Sequence, residues 1–316
     1  MPTLTAPLTV AILAYPGAQA AAVHGLFDLL STANRLAAGM GETSRSLDVL
    51  VLSTEADRSP LSEVRLSALI LPPSLGPDQP TLQEARLKAW ITTRHAEGTL
   101  VCSVCAGAFL LADTGLLDGR PATTHWGLKE AFAARFPSVL LDTDRLVIDD
   151  GDILTAGGLM AWVDLGLKLI HRFLGTATLL ATARHFLVDP GGREQRFYTT
   201  FAPSLAHGDK AILRVQHWLQ KQGGSTVTVP EMADRAHLSE RTFLRRFQKA
   251  TGLTPTDYLQ HLRVGKARDL LEQSDRNLDD IAWEVGYRDT GAFRKVFVRI
   301  MGLTPGEYRR RFGVNA

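Results

Sequence analysis

Two cysteines in 316 residues are too few for the disulfide framework of a small secreted scaffold. No lysine or arginine precedes Arg35, so the apolar run at 8–15 lacks the basic flank of a secretion signal and export is not expected. Long unbroken apolar segments are missing as well. The most apolar stretch, 165–187, is interrupted by Lys168, His171, Arg172 and Arg184, so no membrane span is expected. The cytoplasm is the expected location, and a membrane is not an expected partner. Net charge is low, at +2, but that total conceals an asymmetry. From Gly208 onward 19 Lys and Arg face 13 Asp and Glu, whereas the residues before it carry 16 against 20. A basic C-terminal part joined to a mildly acidic one fits a nucleic-acid reader attached to something else. With 45% hydrophobic residues, this length suits about two domains with real cores.

What the chain does have is a repeat. Phe243, Phe247, Gly252, Leu253, Thr254, Pro255 and Tyr258 return as Phe293, Phe297, Gly302, Leu303, Thr304, Pro305 and Tyr308. Every pair lies 50 positions apart, which marks a duplicated unit. Each copy reads as helix, tight turn, helix, stop and new helix, the grammar of a helix-turn-helix. In the first copy Thr228-Val229-Pro230-Glu231 predicts a capping box. The short helix it starts carries Met232, Ala233 and Ala236 and ends near His237-Leu238. Ser239 is expected to cap a helix over 240–251, which Gly252 stops. On that helix Phe243, Phe247 and Ala250 share one face, and Arg241, Leu244, Arg245 and Gln248 share another.

In the second copy Asn277-Leu278-Asp279-Asp280 starts a helix with Ile281, Ala282 and Val285. Asp289 is expected to cap a further helix over 290–301. Phe293, Phe297 and Ile300 point inward there, and Thr290, Gly291, Arg294 and Lys295 lie towards the opposite side. Thr254 and Pro255 open a longer helix between the copies. A rigid spacer of that kind suits two units entering successive major grooves, about 34 Å apart. There Arg pairs with guanine and Gln with adenine; a solvated basic face is the alternative for one helix alone.

The N-terminal part alternates apolar strands (9–14, 47–53, 67–71, 99–104) with helical stretches (19–38, 82–95, 107–112), which implies a parallel sheet covered on both faces. A hairpin around Asp149-Asp150-Gly151-Asp152 follows, then two helices over 159–174 and 176–187. Within this part Ser103-Val104-Cys105-Ala106-Gly107 has the layout of a nucleophile elbow, with Cys105 in the central place. Such a thiol sits at a helix start, where a thiolate is favoured, and His125 is the candidate base. A small buried Cys with an unrelated His is the plainer alternative. Cys102 and Cys105 do not form a redox pair on this reading. Three residues along a strand span about 10 Å, beyond disulfide reach.

The ordered motifs Leu238-Ser239-x-Arg241, Arg245-x-Phe247, Gly252-Leu253-Thr254-Pro255-x-x-Tyr258, Leu262-Arg263-x3-Ala267, Asp280-Ile281-Ala282-x3-Gly286-Tyr287 and Gly302-Leu303-Thr304-Pro305-x-x-Tyr308-Arg309 closely resemble the AraC/XylS family of transcription regulators, over roughly 209–312. The resemblance implies base-reading places at Arg241, Leu244 and Arg245, and at Thr290, Gly291, Arg294 and Lys295. Leu244 and Gly291 stand where polar residues are usual, and Gly291 weakens its own helix start. The run 104–112, then 115–120, then Thr123-Thr124-His125-Trp126 resembles the ThiJ/PfpI branch of the class I glutamine-amidotransferase-like fold, in the version found in GlxA-like regulators. It implies a flavodoxin-like α/β domain over roughly 8–187, with Cys105 and His125 as the elbow pair. Hydrolytic relatives place a carboxylate near the start of the first helix. Here that place holds Ala22, with Gln19 and His24 nearby, and the loop after the third strand is Pro72-Pro73-Ser74 where many enzymes have Pro-Gly-Gly.

The expected organisation is a sensor and dimerisation domain over 1–190, a linker over 191–208 and an all-α double helix-turn-helix domain over 209–316. Candidate ligand-binding residues are Tyr15, Gly17, Pro73, Ser74, Cys105, Ala106, His125, Trp126 and Gly157. No enzyme activity, metal or cofactor is expected. The expected function is sequence-specific transcription regulation, as an activator, in response to a small-molecule effector. Expected partners are promoter DNA, RNA polymerase and a second copy of the chain. The resemblance points to a small nitrogenous effector such as an amino acid or quaternary amine. Trp126 offers a cation a ring face, although packing is its plainer role. The alternatives are an active cysteine hydrolase or amidase fused to a DNA-binding domain, and a redox sensor acting through Cys105.

Overall fold

The computed structural model describes residues 7–41, 45–54, 65–76, 79–81, 85–191, 193–222 and 227–314. The chain divides into two compact units, Met1–Gln195 and Arg196–Ala316. Residues 191–208, expected as a linker, are shared between them: Gln195 is buried in the first unit, and the buried Phe197 belongs to the second. No helix of the described residues is long and apolar enough to cross a membrane.

The first unit is built on a six-stranded sheet. Its strands are β1 (Leu8–Ala14), β2 (Leu47–Ser53), β3 (Ala68–Leu71), β4 (Leu100–Val104), β7 (Val147–Asp149) and β8 (Ile153–Ala156). The order is β2-β1-β3-β4-β8-β7, parallel throughout except for β7, which pairs antiparallel with β8 as the edge hairpin. Strand residues alternate between two cores, because successive side chains leave opposite faces. Val10, Ile12, Ile70 and Cys102 pack with Leu26 and Leu30 of α1 (Ala20–Gly39) and Leu165 and Leu169 of α5 (Trp162–Phe186). Ala11, Leu13, Leu69 and Val101 pack with Ile91 of α2 (Ala85–Ala96), Phe109 of α3 (Gly107–Asp113) and Phe132 of α4 (Lys129–Arg135). Burial on both faces explains why the strands are apolar without alternation. The expected start of α2 at 82–84 lies outside the described residues.

The two helices expected over 159–187 are the halves of α5, which breaks at Gly175 (φ 86°, ψ 176°). Only glycine adopts that backbone cheaply. Three elements of this unit escape the sequence reading: α4, seven residues long, and the two-residue parallel strands β5 (Pro121–Ala122) and β6 (Leu140–Leu141). All three are too short to show a period.

The second unit is all helical: α6 (Lys210–Gln222), α7 (Val229–Ala236), α8 (Glu240–Thr251), α9 (Pro255–Gln273), α10 (Leu278–Glu284), α11 (Thr290–Met301) and α12 (Pro305–Phe312). It holds two separate cores. Phe243, Phe247 and Tyr258 centre the first, with Ile212, Val215 and Leu219 from α6. Phe293, Phe297 and Tyr308 centre the second, with Val264, Ala267 and Leu271 from α9. The long helix α9 therefore serves twice. Its first turns close the first copy as α12 closes the second, and its last turns support the second copy as α6 supports the first. The sequence reading passes over α6, although its apolar spacing is helical.

Thr228 and Glu231 form the expected capping box, repeated at Thr304 and Glu307, each satisfying backbone donors that a helix start leaves open. Asn277 and Asp289 accept from Asp280 N and Gly291 N as caps. Ser239 occupies its cap position, but its hydroxyl bonds Thr242 Oγ1 at 3.0 Å and not a backbone amide.

Candidate nucleic-acid interface and elbow

The outward face of α8 is set by the inward one. Phe243 and Phe247 are fully buried, which turns Arg241, Leu244, Arg245 and Gln248 to solvent. Among the described residues Arg241, Arg245 and Gln248 have no ion-pair or hydrogen-bond partner. The next arginine along, Arg246, is tied by two hydrogen bonds (2.9 and 2.7 Å) to Asp209 ahead of α6. The helix thus separates arginines that brace the fold from arginines left open. The turn before α8 passes through His237 in the left-handed region (φ 56°), and His237 N and Leu238 N cap the carbonyls of α7.

On α11 the same register holds. Gly291, Arg294 and Lys295 are exposed, and Arg294 and Lys295 are unpartnered among the described residues. Thr290 is half-buried and donates to Asp279 Oδ1 at 2.7 Å, which ties the start of α11 to α10. Its turn is one residue longer, because Tyr287 and Arg288 stand between the left-handed Gly286 and the cap Asp289, where Leu238 alone follows His237. The sequence reading misses Val298. The 50-residue offset maps Gln248 onto it, and it is 38% exposed on the outward face.

The elbow is formed as expected in backbone and differently in chemistry. Cys105 sits between β4 and α3 with φ 52°, the strained turn that a nucleophile elbow requires. Its N–H donates to Ala156 O at 2.7 Å, and its carbonyl accepts from Thr124 Oγ1 at 2.8 Å. A Cβ on Gly107 would meet Leu71 O at 2.4 Å, so the helix start packs directly against the end of β3. Burial, however, pushes the Cys105 thiol up to about 11, against the smaller help of the Ala106 amide. At neutral pH the group is a thiol. The thiolate expected from a helix start is overridden because Cys105 is only 5% exposed.

His125 has one ring nitrogen engaged locally. Its Nδ1 accepts from Gly127 N at 3.0 Å, its ring lies 5.3 Å from that of Trp126, and burial lowers its pKa so that it is neutral. Among the described residues no hydrogen bond joins Cys105 to His125. Ala22 is fully buried, so a methyl group occupies the expected acid position. Tyr15 donates to Pro72 O at 2.6 Å, and its hydroxyl is pushed up by burial and then by the nearby Cys105. Pro72 and Pro73 have no N–H to offer an oxyanion. Ser74 Oγ is engaged with Gly17 O and Gly76 N at 3.2 and 3.1 Å.

Gln195 fills space that the sequence left open. A Cβ on Gly157 would lie 1.8 Å from Gln195 Nε2. That amide donates to Thr123 Oγ1, Thr124 O and Arg145 O at 3.0, 2.9 and 3.0 Å, and Gln195 Oε1 accepts from Trp126 N at 3.1 Å. Gly157 and Trp126, both expected to bind ligand, therefore contact a glutamine from residues expected to be linker. A cavity of about 570 Å³ lies elsewhere in the unit, against β7 and α5. Several of the charges at it are paired, Asp149 with Lys168 and Arg172, Asp164 with Arg193 and Arg145 with Glu194. None of the expected ligand residues lines it.

Two family models match the chain, a helix-turn-helix domain over 232–311 and the DJ-1/PfpI family over 53–172. An AraC family transcriptional regulator from Pseudomonas putida superposes with a TM-score of 0.47 at 21% identity, over 57% of this chain and all of that one. The HTH-type transcriptional regulator CdhR of Pseudomonas aeruginosa is 26% identical over 71% of this chain and 66% of its own. The HTH-type transcriptional regulator GlxA of Rhizobium meliloti is 31% identical over 68% of this chain and 67% of its own. The chain spans about two thirds of the length of these curated relatives. It belongs to the HTH-type transcriptional regulators of the GlxA kind, with a DJ-1/PfpI domain followed by an AraC-type helix-turn-helix domain.

Proposed function

We propose that the protein is a sequence-specific transcription activator, acting in the cytoplasm, whose α8 and α11 enter successive major grooves of promoter DNA. Arg241, Arg245 and Gln248 read base edges on the first half-site, and Arg294 and Lys295 do so on the second. The observation that carries this reading is the pair of outward faces at identical register, each with exposed, unpartnered cations beside residues whose charges are already used. Exposed guanidiniums keep their donors for guanine and phosphate. The first unit is a non-catalytic sensor that binds a small nitrogenous effector near Cys105, joins two copies through α5, and leaves RNA polymerase contact to the assembled complex. A buried thiol without a bonded base, together with Ala22 at the acid position, favours recognition over turnover.

The test is site selection from random duplexes with the full chain, followed by footprinting. Two protected stretches one helical turn apart support the reading, and uniform protection without a selected sequence refutes it. For the sensor, multiple turnovers of amides or aldehydes that vanish in Cys105→Ala would instead establish an enzyme.

A further inference from the structure

Leu244 stands in the middle of a face that is otherwise polar. Arg241, Arg245 and Gln248 surround it at spacings of three, one and four residues, and it remains 42% exposed. Its inward neighbours Phe243 and Phe247 already fill the core, so Leu244 is not needed there. An apolar protein partner fits this place poorly, since covering Leu244 would also bury two guanidiniums that make no ion pair among the described residues. DNA fits it well. The major groove offers acceptors for the arginines, and its one projecting apolar group is the thymine 5-methyl.

We propose that Leu244 reads the 5-methyl group of a thymine in the half-site bound by α8. This rests on the DNA-reading role of that helix given above. Residues three and four apart on a helix are about 5–6 Å apart, and successive base pairs are about 3.4 Å apart. The thymine therefore lies within about two base pairs of the bases contacted by Arg241 and Gln248, which stand three and four residues from Leu244. Leu244 is thus a specificity-determining residue, and the apolar departure at this position replaces a hydrogen-bonded contact with a methyl contact.

The experiment uses the full chain and its selected duplex, with each thymine replaced singly by deoxyuridine, which removes only the methyl. One position should weaken binding about three- to fivefold, the value of one buried methyl-sized group. Leu244→Ala should bind the thymine and uridine duplexes equally, and Leu244→Met should keep the preference. Both substitutions are on an exposed position, and unchanged thermal melting verifies the fold. No methyl effect in the native chain, or one that persists in Leu244→Ala, overturns the inference while leaving sequence-specific binding intact. A chain that selects no sequence overturns the DNA reading and the inference with it.

Discussion

The elbow and the recognition helices are both built at helix starts from short, readable motifs, yet they treat their chemical side chains in opposite ways. On α8 the arginines are exposed and unpartnered. At the elbow Cys105 is buried and protonated, and His125 is neutral and turned to a backbone amide. The difference comes from what each helix start packs against. α8 has a core on one side and water on the other, so its outward residues stay solvated. The start of α3 lies against β3 and beneath Thr124, so desolvation outweighs the helix end. A motif names the residue; the depth of the site decides its charge.

The largest way to test the buried half of this contrast is Gln195→Ala. The substitution leaves Trp126 N without its partner and takes one bond each from Thr123 Oγ1, Thr124 O and Arg145 O, which keep the bonds from Thr123 Oγ1 to the two carbonyls. Losing four hydrogen bonds around one buried amide should cost about 2–4 kcal/mol, read by denaturant unfolding of the full chain. A loss below about 0.5 kcal/mol would show that water reaches this crevice and that the elbow is more open than its burial indicates.

The thiol gives the next effect. Its folded pKa of about 11 stands above the ordinary 9.0. Between those values the unfolded chain releases the proton while the folded chain keeps it. The contribution is therefore fully present below pH 9 and lost as pH rises towards 11, by on the order of 2 kcal/mol. Cys105→Ala should remove that part of the alkaline slope, with Tyr15 and Cys102 still contributing theirs. Alkylation of Cys105 with a midpoint near 9 or below would contradict this, and would restore the thiolate that the helix start alone suggests.

These two cases also mark where the sequence stops being legible. The parallel sheet, the duplicated helices and the elbow backbone follow from patterns spanning a few residues, such as the apolar strands 9–14 and 99–104 and the 50-residue offset of Phe243 and Phe293. Gln195 has no local signature. Its partners lie 50 to 72 positions away, and one glutamine in a polar stretch predicts nothing. The charge state of Cys105 is hidden for a similar reason, since it depends on packing by Thr124, Tyr15 and Pro72 from three separate segments. Arg246 and Arg245 are equally ambiguous in the sequence, and only the position of Asp209 decides which one is left open.

On the exposed half, Arg245→Ala should weaken binding to the selected duplex by about 1–3 kcal/mol and relax one base position. Binding measured across single-base variants separates this from a phosphate contact, which would weaken all sequences alike. Arg246→Ala should leave the selected sequence unchanged, because its guanidinium is committed to Asp209. Loss of sequence preference in Arg246→Ala would erase the distinction between bracing and reading arginines.

The smallest effect is expected on α11. Its outward face has Gly291 at the place of Arg241 and Val298 at the place of Gln248, so two of the three donor-bearing positions of α8 have no donor here, and Arg294 stands at the place of Leu244. Thr290, beside them, already gives its proton to Asp279. Arg294 and Lys295 remain, and a lysine lacks the planar fork that makes an arginine base-specific. Lys295→Ala should therefore cost less than about 1 kcal/mol and relax its base position less than Arg245→Ala relaxes its own, read across single-base variants of the selected duplex. Both copies share their core register, Phe243 with Phe293 and Phe247 with Phe297, so the asymmetry arises from the outward residues and not from a different fold. A selection in which the half-site bound by α11 is the more stringent would show instead that Val298 and the longer turn through Arg288 carry base recognition of their own.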